Sequence, residues 1–287
     1  MERREQGRIL FASLSKGKRN VTNMSLQPIP QQRVIEKLDE YMSRRDYAGA
    51  ERHLLYWLEE ARAAGDERGE LMVRNELVGH FRKTGNREQA FAHADAALRL
   101  IEALGFDQTI SAGTTYTNVG TAYNAFGENG RSLELFERAA RLYESSPHTA
   151  PQLLGGLYNN MALTCVALGR FAEADALFDR ALATMAHVEN GELEQAITYL
   201  NMADAFVAKT SAALGGDSDA ALQDSSCEKA VETHLDTALE LLNTPSVPRD
   251  GYYAFVCEKC APVFAHYGYF LADADLRKRA EAIYERS

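Results

Sequence analysis

Around residues 112–185 one pattern is written twice, first as AGTTYTNVGTAYNAFGENGRSLELFERAARLYE and then as GGLYNNMALTCVALGRFAEADALFDRALATMAH. The register puts Asn118 on Asn160 and Gly127 on Gly169, 42 residues apart. Tyr158, Met161, Ala162 and Cys165 lie 11, 8, 7 and 4 residues before Gly169, and Phe171, Ala174, Phe178 and Ala181 lie 2, 5, 9 and 12 after it. Large residues three or four apart are the apolar stripe of a helix. Small residues (Ala162, Ala174, Ala181) stand where two helices must approach closely. Around Gly127 the same offsets give Tyr116, Val119, Gly120, Tyr123, Ser132, Phe136 and Ala139. Each copy therefore reads as two amphipathic helices joined by a tight glycine turn.

Gly85, Gly127 and Gly169 fall at equal spacings of 42, which extends the register to an earlier repeat running from about Glu67 through Thr84-Gly85-Asn86 to Gly105. Glycine supplies the left-handed conformation that closes a helix. The alternation of large and small residues about a glycine turn resembles the tetratricopeptide repeat family, whose usual period is about 34. The longer spacing is similar to the kinesin light chain branch of that family. The resemblance covers roughly residues 31–287. It implies an all-α, right-handed superhelical solenoid of about six helical hairpins, and a role in protein or peptide binding. A fold of this kind hosts many tasks, so function must be argued from a site.

The remaining repeats are less regular. A first hairpin is read in VIEKLDEYMSRRD and YAGAERHLLYWLEEARAAG, with Trp57 where other repeats have alanine. In the fifth, Asn201-Met202-Ala203 aligns with Asn160-Met161-Ala162, but Thr210 replaces the turn glycine and a small, acidic insertion follows. Residues 214–226 are expected as a loop, with the preceding helix extended into Ala212-Ala213. A terminal hairpin is expected over 251–287, with Pro262 kinking its first helix and a charged last helix acting as a cap.

Residues 1–30 are expected as a basic, disordered tail ahead of a repeat domain over 31–287. Residues 1–27 carry a net +4, which leaves −14 for the rest of a chain whose total is −10. Met24 is a candidate alternative start. Asn20-Val21-Thr22 fits a glycosylation sequon by chance, and Ile9–Leu14 lacks the length of a secretory signal. Lys16-Gly17-Lys18 fails as a phosphate loop because Ala12 and Arg19 stand where Gly and Ser or Thr are needed. The negative charge argues against duplex nucleic acid and anionic membrane as partners. No apolar run approaches the length of a membrane span. Four cysteines without a paired framework suit a reducing compartment, so a cytoplasmic location is expected.

Candidates for chemistry are few. Cys257 and Cys260 form a C-x-x-C, but by offset from Gly268 they occupy first-helix core places, and a zinc site needs two more ligands. The seven histidines are scattered. No nucleophile–base set can be assembled, and carboxylates sit on helix faces beside cations, as Glu134 does with Arg138. No catalytic residue, metal ligand or cofactor is assigned, and an enzyme is not expected.

The asparagines carry more. Asn118 and Asn160 both lie nine residues before the turn glycine, and Asn201 aligns with them. The family resemblance implies that first helices line a concave groove and that this offset points into it, where asparagine can hydrogen-bond an extended peptide. An amide offers both a donor and an acceptor, so it matches a peptide unit without reading side chains. Asn159, Asn124, Thr121 and Asn75 flank the row, with Arg82 and Lys83 near its start. Glu36, Glu76 and Lys259 end it at the aligned places of other repeats, and the missing cations of repeats three and four argue against a terminal carboxylate ligand. The rival reading of each Asn is a bond to the neighbouring helix. The expected function is a peptide-binding adaptor or scaffold. The alternatives are a peptide-responsive regulatory sensor, self-assembly through the aromatic segment 252–270, and a hydrolase or transferase hidden in the groove.

Overall fold

The computed structural model describes residues 27–286, and among these the chain forms thirteen α-helices and no strand. Six hairpins account for nearly all of it. They are α1 (Gln31–Ser43) with α2 (Tyr47–Ala64), α3 (Glu67–Lys83) with α4 (Arg87–Ala103), and α5 (Ile110–Ala125) with α6 (Asn129–Ser145). Then come α7 (Pro151–Ala167) with α8 (Phe171–Met185), α9 (Glu192–Ala213) with α11 (Ser225–Leu242), and α12 (Gly251–His266) with α13 (Phe270–Tyr284). The tail, with Met24 and the Asn20 sequon, lies outside the described residues up to position 26. Residues 27–30 were placed in that disordered tail by sequence, yet Ile29 is buried and its N–H donates to Asp66 Oδ2 at 3.0 Å.

The helix ends follow from side chains that satisfy orphan backbone groups. Asp46 accepts from the Gly49 N–H at 2.7 Å, Asp66 from Gly69 at 3.0 Å, Asn86 from Gln89 at 3.2 Å and Thr109 from Ala112 at 3.2 Å. First helices close on glycines with positive φ at Gly85, Gly127, Gly169 and Gly268. After each, the next N–H returns to a carbonyl five residues back, as Arg170 does to Cys165 at 2.8 Å. With Thr210 at the aligned place, α9 has no such stop. It runs on to Ala213, as expected, and closes over Gly215 and Gly216, the latter donating to Ser211 O at 2.8 Å. The 214–226 stretch is not a loop throughout. Ser218–Gln223 form the short helix α10, because Asp217 caps it through the Ala220 N–H at 2.9 Å and Ala221 is buried.

The described residues fall into two compact units, 27–147 and 148–286. In the first, α3 and α5 lie side by side as first helices, α2 packs on α3, and α4 on α5. Its core gathers Val34, Leu38, Leu54, Val73, Leu77 and Phe81. In the second, α9 packs on both α7 and α12, with α8 against α9. Leu193, Ile197, Leu200, Leu235, Tyr253, Cys257, Cys260 and Phe264 are buried together there. Close approach of paired helices depends on glycine at two equivalent places. A Cβ on Gly113 would stand 2.5 Å from the Tyr143 ring, and one on Gly155 would stand 2.4 Å from the Met185 methyl. Pro262 lies within a continuous α12, on its exposed side. No described helix is long and apolar enough to cross a membrane.

Candidate ligand-binding face

The first helices set the asparagines against each other in pairs, one pair per unit. In residues 27–147, Asn118 on α5 donates through Nδ2 to Asn75 Oδ1 on α3 at 3.3 Å. Asn75 is buried and donates to Leu71 O and to Thr115 Oγ1, each at 3.0 Å. In residues 148–286, Asn201 on α9 donates to Asn159 Oδ1 on α7 at 3.1 Å, and Asn159 is buried. The geometry recurs because the offsets recur. Each bridge joins a residue nine before the turn position to one ten before the preceding turn glycine.

These bridges use one N–H each of Asn118 and Asn201 and leave their Oδ1 atoms without a partner among the described residues. Asn160, half-buried on α7, makes no side-chain hydrogen bond among the described residues. The other expected site residues are engaged locally or stand apart. Thr121 donates to Thr117 O at 2.8 Å and Asn124 to Asn129 Oδ1 at 3.1 Å. Arg82 is exposed at the end of α3, and Lys83 lies over the Tyr47 ring. Two asparagines thus follow the neighbouring-helix reading in part, while Asn160 does not.

In the second unit the same helices carry a half-buried carboxylate, Glu194, two turns before Asn201 on α9. Tyr252 of α12 donates its hydroxyl to it. Burial pushes the Glu194 carboxyl above its ordinary range, against the pull of Lys259. Asp204 is likewise raised by burial, although Tyr267 donates to it at 2.7 Å. The aromatic segment 252–270 is spent largely inside its own unit. Tyr253 and Phe264 are fully buried and Tyr269 bonds Asp236, while Phe270 is 70% exposed.

Cys257 and Cys260 are free, buried thiols. Burial pushes Cys260 up to about 12, which suits packing and not nucleophilic or ligand duty. Among the described residues no group of His, Cys, Asp and Glu could hold a metal ion.

Sequence reasoning missed a second repeated device. The Arg138 guanidinium lies 4.3 Å from the centre of the Tyr116 ring and donates to its hydroxyl at 2.8 Å. Arg180 does the same to Tyr158 at 4.0 and 2.7 Å. Both pairs stand 11 residues either side of the turn glycine, so the signal was present in the aligned repeats. The expected Glu134–Arg138 pair does not form, because stacking on a buried ring offers the guanidinium more than an exposed ion pair does. A buried cluster in the first unit was also missed. Phe81 stacks on His93 at 5.5 Å, Arg74 reaches His93 Nδ1 at 3.3 Å and pairs with Glu70 at 2.6 Å.

Stacked antiparallel hairpins with recurrent glycine closures and side-by-side first helices define a helical-hairpin repeat protein. The family model described as tetratricopeptide repeat matches residues 69–145, and a second of the same description matches 155–192. Over these residues the chain carries tetratricopeptide repeats, and repeats of that family in general mediate protein–protein interaction and scaffolding. Solved structures similar to it include the nearly identical TPR-like repeats of a Podosopora anserina kinesin light chain, at 17% identity, covering 74% of this chain and 94% of that chain, with a TM-score of 0.47. BtubC (BKLC) from P. vanneervenii is 15% identical over 89% of this chain and 91% of that one, with a TM-score of 0.44. A tetratricopeptide repeat protein from Parabacteroides merdae is 17% identical over 88% and 93%, with a TM-score of 0.42. No curated protein matches the sequence.

Proposed function

We propose that the protein is a non-enzymatic adaptor that binds an extended peptide segment of a partner along the first helices of its units, at Asn118 in one and at Asn160 and Asn201 in the other. The observation that carries this reading is the unspent bonding capacity of that row. Among the described residues the Asn160 side chain makes no hydrogen bond, and Asn118 and Asn201 use only their Nδ2 groups. Asparagine is a poor helix former, so three in the interiors of aligned first helices call for a reason. The amide bridges give one for two of them and none for Asn160. Each peptide bond read by such an amide contributes about 1 kcal/mol, so these amides would hold a strand-like ligand without reading its side chains. Asn159, Asn75, Asn124 and Thr121 act in this reading as the frame that orients the row, and Arg82 as an exposed cation at its edge. That the four cysteines are not in disulfides is in keeping with a cytoplasmic setting.

A peptide-library screen on the purified protein tests this, run beside Asn160→Ala and the triple Asn118/Asn160/Asn201→Ala. The triple removes two bridges, so its folding is checked by circular dichroism. The single variant removes none. Loss of selected binders in folded Asn160→Ala is the expected result. Retention in both variants sinks the reading.

A further inference from the structure

Large apolar side chains scattered singly over a surface call for no explanation. In residues 148–286 they are not scattered. Of the exposed ones there, Leu168, Leu214, Leu222, Phe270 and Leu271 all stand in or beside the turns that join first to second helices, and Tyr284 alone lies elsewhere. Phe270 and Leu271 are 70% and 89% exposed. The first helices α7, α9 and α12 lie side by side, and the Tyr252–Glu194 and Tyr267–Asp204 bonds show α9 and α12 running in the same sense. The turns therefore share one edge of the unit, apart from the mid-helix asparagines. In residues 27–147 the equivalent turns differ: Arg44-Arg45 and Thr84-Gly85 carry no large apolar residue, and Phe126 is half-buried.

The fifth turn enlarges this edge. The other hairpins turn in three residues, as at Leu168–Arg170, whereas the fifth takes 214–224 and builds α10 there. α10 buries Ala221 and sets Ser218 Oγ 3.4 Å from Ser211 Oγ on α9, while Leu222 stays outside. Its charge is one-sided. Between Lys209 and Lys229 stand Asp217, Asp219, Asp224 and Glu228, with no Lys or Arg among them. Lys209 itself pairs with Asp175 at 2.8 Å, and Arg170 at the fourth turn bonds Glu173 at 2.7 Å.

We infer that this edge is a docking surface for a basic amphipathic helix of a partner protein, its apolar stripe laid on Leu214, Leu222, Phe270 and Leu271 and its flanking cations turned to the acids of the insertion. The surface is separate from the asparagines of the adaptor reading. Acids beside an apolar row favour a basic occupant and steer its approach. Three neighbouring helices about 8–10 Å apart make an edge about 20 Å long, which about four turns of helix span. An all-helical unit offers no strand edge to extend, whereas an apolar row fits the stripe of an amphipathic helix.

The test sets the full chain against a displayed library of single helices with a fixed leucine stripe and randomised flanks. Selected helices are measured by fluorescence anisotropy. Lysine- and arginine-rich flanks are expected, with affinity falling as salt rises. The triple Leu214→Ser/Leu222→Ser/Leu271→Ser should weaken binding about tenfold or more, with folding checked by circular dichroism. Asp219→Asn/Glu228→Gln, which removes no helix cap, should weaken binding at low salt only. Leu55→Ser, on α2, and Asn160→Ala should bind as the unaltered protein does. Selection of no helix, acidic flanks, or full binding by the leucine triple overturns the proposal. So does loss in Asn160→Ala with retention in the leucine triple, which places the helix on the asparagines. A dimer in sedimentation that the leucine triple abolishes makes a second copy the occupant and overturns the partner helix.

Discussion

Gly113 and Gly155 occupy the same place in consecutive repeats, 14 residues before their turn glycines, yet alanine should affect them oppositely. A helix-interior Gly→Ala change gains about 1 kcal/mol from backbone entropy alone. At Gly113 the new Cβ lies 2.5 Å from Tyr143 Cε1, where carbon contacts relax near ~3.5–4.0 Å. The ring must therefore move by about 1 Å. It cannot do so freely, because Tyr143 is 1% exposed and its hydroxyl bonds Thr114 at 3.1 Å. Overpacking of this kind costs about 1–3 kcal/mol, so Gly113→Ala should end about 1 kcal/mol less stable. At Gly155 the clash is with the Met185 terminal methyl, which a thioether side chain can swing aside. Gly155→Ala should therefore be neutral to about 1 kcal/mol more stable. Urea unfolding followed by circular dichroism reads both, as midpoint changes at constant slope. Gly113→Ala at or above wild-type stability, or the two variants equally destabilised, would refute the argument that the neighbour's rigidity decides the sign.

Three further outcomes are expected. His93 is held down to about 4, chiefly by burial and then by Arg74, against 6.5 when free. The unfolded chain therefore binds the extra proton first, and stability is complete above 6.5 and is lost as pH falls toward 4; His93→Gln should flatten that slope in a urea titration across pH. Arg180→Ala should cost about 1 kcal/mol through the lost Tyr158 stack and hydroxyl bond, and Arg180→Lys should not restore it, as thermal melts would show. Asn201→Ala strands the buried Asn159 oxygen and should cost about 1 kcal/mol, whereas Asn160→Ala breaks no internal bond and should leave the denaturation midpoint unchanged or slightly raised.

Much of the fold was legible because each local rule pointed the same way. The equal spacing of Gly85, Gly127 and Gly169 located three turns, and those residues have the positive φ that the turns require. The extension of α9 followed from the missing glycine at Thr210. What stayed hidden was set by side-chain direction and not by spacing. Arg138 reads as a surface partner of Glu134 until the hairpin closes and brings the Tyr116 ring beneath it. The helix α10 is six residues long, too short to leave a periodic signal, and only the Asp217 cap betrays it. The asparagines were visible as a row, but their pairing was not. Asn75 lay one position out of line with Asn118, and only side-by-side helices make that offset a hydrogen bond.

Conflicts between local preference and fold are concentrated on the first helices, and their distribution carries meaning. Where propensity, capping and packing agree among the described residues, as at the Asp46, Asp66 and Asn86 caps, the sequence favours a single native state. Where they disagree, a compensating contact normally explains it. The Asn75–Asn118 and Asn159–Asn201 bridges satisfy polar groups that burial would otherwise penalise, and the Tyr143 ring accounts for Gly113. Asn160 has no such compensation among the described residues. It is unfavourable to the helix that carries it, and a structural role would show as a partner for its amide; the proposed adaptor role would supply that partner from a bound peptide.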